Sequence, residues 1–112
     1  MEEHNMAIYT PIIKSLTIRE SEIHGLGVFA VTDILENIEL GLTHIEVICP
    51  YTGEFELIRT PLGGFYNHSD EPNCQKYKVG IKYFLKTIKD ILAGEEITVT
   101  YSFYKIKGRD KI

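Results

Sequence analysis

Two glycines, Gly25 and Gly27, flank Leu26 in the run Ile23–His24–Gly25–Leu26–Gly27–Val28. Glycine lets a backbone take positive φ and come close to a ligand, although the same pair also suits a tight hairpin turn with nothing bound. Asn67–His68 is the second candidate. Asn carries both a donor and an acceptor, and a neutral His carries one of each. The pair can therefore read the edge of a base or fix crossing backbone; the plainer account is an Asx-type turn beside a structural histidine. Tyr101 and Tyr104 offer hydroxyls three residues apart, with Phe103 between them, and core packing is the competing account there. Glu95–Glu96 has the look of a catalytic carboxylate pair, yet neighbours on a turn-to-strand boundary are more often solvated. His4, His24, His44 and His68 have no metal-ligand spacing, and Cys49 and Cys74 form neither a CxxC pair nor a disulfide framework. No metal is expected.

The elements that must hold these residues read as strands. Leu16–Thr17–Ile18–Arg19 alternates apolar and polar, and Val28–Phe29–Ala30–Val31 follows the glycine turn. Ile38, Leu40 and Leu42 alternate in one phase, Ile45 and Val47 in the other, which predicts a bulge or bend between two strands. A turn at Pro50–Gly53 precedes a short strand at Glu54–Arg59. Residues 60–74 hold two prolines and the Gly63–Gly64 pair and read as irregular; rigidly held irregular segments are where binding residues concentrate. Tyr77, Val79, Ile81, Tyr83 and Leu85 alternate against Lys76, Lys78, Lys82 and Lys86, a strand or hairpin with one wet cationic face and a turn or bulge at Gly80. Ile97–Tyr101 is the last strand, after a turn at Ala93–Glu95. No window carries a long 3.6-residue apolar stripe. The fold class expected is mostly β, with little helix.

At 112 residues the chain has room for one domain. Its 44% hydrophobic and 25% charged residues are those of an ordinary globular protein. A net charge of −4 argues against direct nucleic-acid binding; it suits a basic peptide or protein partner, or merely solubility. No apolar run reaches the roughly 20 residues of a membrane span, and residues 1–11 lack a signal-peptide layout. An intracellular, soluble protein of cytoplasm or nucleus is expected.

Three blocks together carry more than any one of them. Ile23–Ala30, then Phe65–Tyr66–Asn67–His68–Ser69–Asp70–Glu71–Pro72–Asn73–Cys74, then Gly94–Glu95–Glu96–Ile97–Thr98–Val99–Thr100–Tyr101 resemble the signature blocks of the SET-domain family, in the family's order. The resemblance spans roughly residues 15–104 of a single domain, 1–112. It implies a fold of several small sheets whose C-terminal segment threads under a loop near Asn67–His68. It implies a protein lysine methyltransferase using S-adenosylmethionine and releasing S-adenosylhomocysteine. By the same resemblance His24, Gly25, Leu26 and Gly27 meet the methionine portion of the cofactor, while Asn67 and His68 lie near its adenine and ribose. Phe103 packs against the cofactor, Tyr101 places its hydroxyl beside the transferring methyl, and Tyr104 forms a second wall of the lysine channel.

The chain departs from the family where substrates are bound. Only 36 residues separate Ala30 from Asn67, so the insert that usually builds one wall of the peptide groove is short. Asp70 stands where many members have a cysteine, and 11 residues without cysteine follow Tyr101. In size the chain is similar to the minimal SET proteins of large algal viruses, which would place it in a host cell if viral. A homodimer is expected to supply the missing surface, through Thr43–Arg59 or the tail. A degenerate SET module that binds cofactor or a partner protein without turnover is the alternative.

Overall fold

The computed structural model describes residues 9–100. Strands β1 (Leu16–Glu20) and β2 (Leu26–Ala30) form an antiparallel ribbon in which Arg19 lies opposite Gly27 and Thr17 opposite Phe29. The chain turns between them with Gly25 at φ 49°, a left-handed conformation that glycine takes without strain. The free edge of β2 is taken by residues 94–97. Glu95 O accepts the Ala30 N–H at 2.9 Å, Val28 O accepts that of Ile97 at 2.7 Å, and Phe29 bridges Glu96.

A second sheet has the order β4-β3-β7-β6, with β3 at Glu39–Ile48, β4 at Phe55–Arg59, β6 at Cys74–Val79 and β7 at Lys82–Thr87. The phase slip expected near Leu42 is real, but it does not split the segment. Strand β3 runs on through two register shifts, between Glu39 and Gly41 and between Leu42 and His44. As a result the consecutive residues Thr43 and His44 are both buried, which a regular strand would not allow.

Within the stretch expected to be irregular lies one helical turn, α1 (Pro61–Phe65). Thr60 caps it, accepting from the Gly63 N–H at 3.2 Å while its hydroxyl donates to Leu42 O at 2.7 Å. Pro61 stands at the first helical position, where a missing N–H costs nothing. Strand β5 (Asn67–His68) then pairs with β8 (Thr98–Val99) in parallel, Asn67 beside Thr98 and His68 beside Val99. The threading expected of the C-terminal segment falls on residues that lie outside those described.

Val28, Leu40, Leu62, Leu85, Ile91, Ile97 and Val99 form the fully buried centre between the sheets. Among the described residues the architecture is mostly strand in several small sheets, with five residues in a helical turn. One expectation is corrected. Lys76 is not on a wet face: it is buried, 5% exposed, whereas Val79 and Ile81 are more than half exposed. The register explains why. In the hairpin Thr87 lies opposite Cys74 and Leu85 opposite Lys76, and cross-strand partners share a face. Carrying one alternation straight through the turn at Gly80 inverts the phase of β6.

Candidate functional site

The side chain of Asn67 is where the motif blocks meet. Its Nδ2 donates to His24 O at 3.2 Å, to Leu26 O at 3.3 Å and to Glu96 Oε2 at 2.8 Å. The other carboxylate oxygen, Glu96 Oε1, accepts the Ser21 hydroxyl at 2.8 Å, and Ser21 Oγ accepts the N–H of Ile23 at 2.9 Å. One asparagine and one glutamate thus fix the glycine turn from both ends.

Gly27 makes this possible. A Cβ there would stand 2.2 Å from Glu96 Oε2 and 3.1 Å from Asn67 Nδ2. Any side chain would displace the pair. Asn73 does a related task one loop later: its Nδ2 donates to Glu96 O at 2.8 Å, and its Oδ1 accepts the Thr98 N–H at 2.9 Å. Backbone groups that β8 leaves open beside β5 are satisfied by this amide, as buried backbone requires.

Beside the pair opens a cleft of about 730 Å³, lined by Arg19, Glu20, Glu22, Phe29, Gly94 and Glu96. The Arg19 guanidinium lies 4.3 Å from the Phe29 ring centroid and donates to Gly94 O at 3.3 Å. One cation and three carboxylates therefore surround the opening. On the other side of β5 the Tyr66 hydroxyl bonds the Lys76 amine, and the ring lies 5.1 Å from Nζ. Burial pulls the Lys76 pKa down to about 7. His44 is 1% exposed, with Nδ1 unbonded, and its ring meets Tyr83 edge-on at 6.2 Å. Burial first, then the charges of Lys76 and Arg59, hold it down at about 4.

A family model for the SET domain matches residues 4–102. The chain belongs to the SET-domain family. Its fold is shared with solved SET-type structures. A Plasmodium falciparum protein assigned as a histone methyltransferase superposes with a TM-score of 0.65 at 24% identity, covering 81% of this chain and 96% of that one. The methyltransferase domain of human PR domain-containing protein 2 gives 0.63 at 20% identity, covering 79% and 77%. No curated protein matches the chain by sequence.

Within this SET domain the structure brings the backbone of His24 and Leu26, Gly27 and Asn67 together around Glu96. The His24 side chain is exposed, and Gly25 shapes the turn. His68 faces the loop, with Nε2 3.3 Å from Asp70 Oδ1. Tyr101, Phe103 and Tyr104 lie outside the described residues. Sequence reasoning read Glu95–Glu96 as solvated and, by family resemblance, as largely structural rather than catalytic; Glu95 is exposed, whereas Glu96 is half-buried and holds Ser21 and Asn67. The signal available was strand phase, since Glu96 sits one residue before the buried run Ile97–Val99. Asn73, Ser21 and Arg19 were not singled out at all. Among the described residues no three His, Cys, Asp or Glu side chains converge as metal ligands would, and no helix is long and apolar enough to cross a membrane.

Proposed function

We propose that this SET domain is an S-adenosylmethionine-dependent methyltransferase that modifies a lysine side chain of a protein, histones and other basic proteins being the substrate class. The observation that carries this reading is the convergence on the Asn67 amide of all three signature blocks, at hydrogen-bond distances, with Glu96 of that cluster also lining a charged cleft. The donor set fits the cofactor. The cleft offers one guanidinium and three carboxylates to a zwitterionic amino acid, a sulfonium and ribose hydroxyls, and Glu96 joins it through Asn67 to the turn at residues 24–27.

The backbone of residues 24–27, with Asn67 and His68, would hold it, and Arg19, Glu20, Glu22 and Glu96 would line the approach. When bound, the cofactor supplies a methyl group already activated on sulfur, which passes in line to an uncharged amine. The task left to the chain is geometric. It must hold the reacting atoms about 3–3.5 Å apart and aligned, and burial must disfavour the charged form of the target amine. By family resemblance Tyr101 would set its hydroxyl beside the methyl, where weak CH···O contacts would favour the polarised carbon, Tyr104 would wall the channel and Phe103 would pack on the cofactor.

The test has two steps. S-adenosylhomocysteine should raise the melting temperature, since a ligand of the folded state alone stabilises by mass action; an unmoved curve at millimolar ligand removes the pocket. Core histones incubated with enzyme and cofactor should then gain methyl groups, read by mass spectrometry. Binding without transfer to any basic protein would leave a module without turnover. Tyr101→Phe should keep cofactor binding while transfer falls or the methylation state of the product changes; an active variant with unchanged products removes the tyrosine from this role.

A second copy of the chain is the partner we propose for the β3–β4 hairpin. Edge strand β4 exposes Phe55, Leu57 and Ile58 beside Ile48 of β3, a surface that proteins ordinarily cover or charge. Light scattering that finds a fully active monomer at tens of micromolar would end this idea.

A further inference from the structure

Arg19 lies on β1, outside the three signature blocks, and faces Gly27 across the β1–β2 ribbon. Cross-strand partners share a face with each other and with their diagonal neighbours, and Phe29, two residues beyond Gly27, is such a neighbour. The Arg19 guanidinium accordingly stacks over the Phe29 ring at 4.3 Å and donates an N–H to Gly94 O at 3.3 Å. Gly27 has no side chain, and the Glu96 carboxylate fills the place that a Cβ would take. Arg19, Phe29 and Glu96 thus line one cleft, on the ribbon whose turn Asn67 holds through His24 O and Leu26 O.

Three carboxylates line that cleft, yet among the described residues none of them pairs with the guanidinium. Glu96 is committed elsewhere, one oxygen to Ser21 and the other to Asn67. Glu20 and Glu22 are exposed, and among the described residues their side chains take no hydrogen bond. Stacking covers one face of a guanidinium and leaves its N–H edge free, and the fork on that edge matches a carboxylate with two parallel bonds. Here a ring and a carbonyl hold the fork before any ligand arrives, so less side-chain freedom is lost on binding. A lone anion does not suit this cleft, because the negative charges outnumber the positive one. A ligand with an ammonium beside its carboxylate does, the carboxylate on Arg19 and the ammonium toward Glu20 and Glu22. Resting on the methyltransferase reading above, we propose that Arg19 binds the carboxylate of the cofactor's amino acid end. It thereby selects S-adenosyl amino acids over nucleosides that lack this end.

Two ligands isolate that end. S-adenosylhomocysteine carries the amino acid; 5′-methylthioadenosine has the same adenine, ribose and thioether without it. Both are titrated calorimetrically into wild type, Arg19→Gln and Arg19→Lys. Wild type should bind S-adenosylhomocysteine about tenfold or more tightly than methylthioadenosine, the worth of one charge-assisted pair. Arg19→Gln should lose that preference while its affinity for methylthioadenosine stays within about twofold of wild type. Arg19→Lys keeps the charge but not the fork, so its preference should fall between the two; it decides the matter if Arg19→Gln does not fold, and an undiminished preference there counts against the fork. A wild type that binds both ligands alike, or an Arg19→Gln that weakens both in proportion or neither, overturns this proposal and leaves the methyltransferase reading standing. Binding of neither ligand to wild type removes the cofactor pocket, and this proposal falls with it.

Discussion

The two faces of β5 are built on opposite principles. On the Asn67 face, polar groups meet in matched pairs at the rim of an open cleft: Glu96 receives Ser21 on one oxygen and Asn67 on the other. On the Tyr66 face, two basic side chains, Lys76 and His44, are buried beside aromatic rings, and both are driven toward their neutral forms. The first face is suited to gripping a charged ligand, because paired groups beside water keep their charge at little expense. The second is closed core, where burial penalises every charge placed there.

The largest expected effect tests whether the two faces differ in packing as well as charge. Gly63 lies on the buried side, where an added Cβ would stand 2.1 Å from Thr43 O and 3.1 Å from His44 Cε1. Backbone cannot swing aside. Gly63→Ala should cost about 3 kcal/mol or more, or prevent folding. The equivalent change on the cleft side, Gly27→Ala, meets the tip of a flexible carboxylate, so it should cost less stability and act mainly on cofactor affinity. Urea denaturation of both variants decides; equal losses would mean that the faces are packed alike.

Lys76→Met comes next, and its sign is unusual. The folded-state pKa, about 7, lies below the ordinary lysine value, so between about pH 7 and 10 the unfolded chain binds more protons and stability rises with pH. Below pH 7 the full cost of burying the charge is present. Removing the amine should therefore stabilise the domain at pH 6, and the gain should shrink toward pH 10. A variant destabilised at pH 6 would show that the Tyr66 bond outweighs the burial of charge.

These two residues also show what the sequence made legible. The three motif blocks, the low helix content and most strands could be read from residue order, because glycine turns, period-two alternation and an Asn–His pair are local signals. The burial of Lys76 could not be read so. It depends on hairpin register across Gly80, which places Lys76 opposite Leu85. Nor could the role of Glu96, whose partners Ser21 and Asn67 lie 75 and 29 residues away. The single turn α1 is too short to show a helical period, yet Thr60 and Pro61 announce its start.

His44 should give an acid limb to stability. Its folded-state pKa of about 4 lies below the ordinary histidine value near 6.5, so as pH falls from 6.5 to 4 the unfolded chain takes up a proton that the folded one refuses. Stability should drop by about 2 kcal/mol over that window, a figure discounted for solvent screening of the Lys76 and Arg59 charges. His44→Phe should flatten this limb while leaving the rise between pH 7 and 10 in place, since that rise belongs to Lys76. Melting temperatures across pH would separate the two. Loss of both limbs in one variant would mean that the pair titrates as a unit.

The smallest effect should come from the cleft side. Ser21 Oγ donates to Glu96 Oε1 at 2.8 Å and accepts from the N–H groups of Ile23 at 2.9 Å and His24 at 3.4 Å. Ser21→Ala removes all three contacts, yet the groups it strands are near water, because residues 22–26 are exposed and Glu96 is only partly covered. The stability cost should stay near 1 kcal/mol, as for a hydrogen bond whose partners can turn to solvent. Cofactor affinity should fall further than stability does, because the turn at residues 23–26 would lose the contacts that hold it in one shape, and a loosened turn must be ordered again on binding. No change in pH dependence is expected, since neither Lys76 nor His44 touches this bond network. Calorimetric titration of the variant with S-adenosylhomocysteine at pH 6 and 8 would test this. An affinity loss at one pH only would join the two faces that the structure keeps apart.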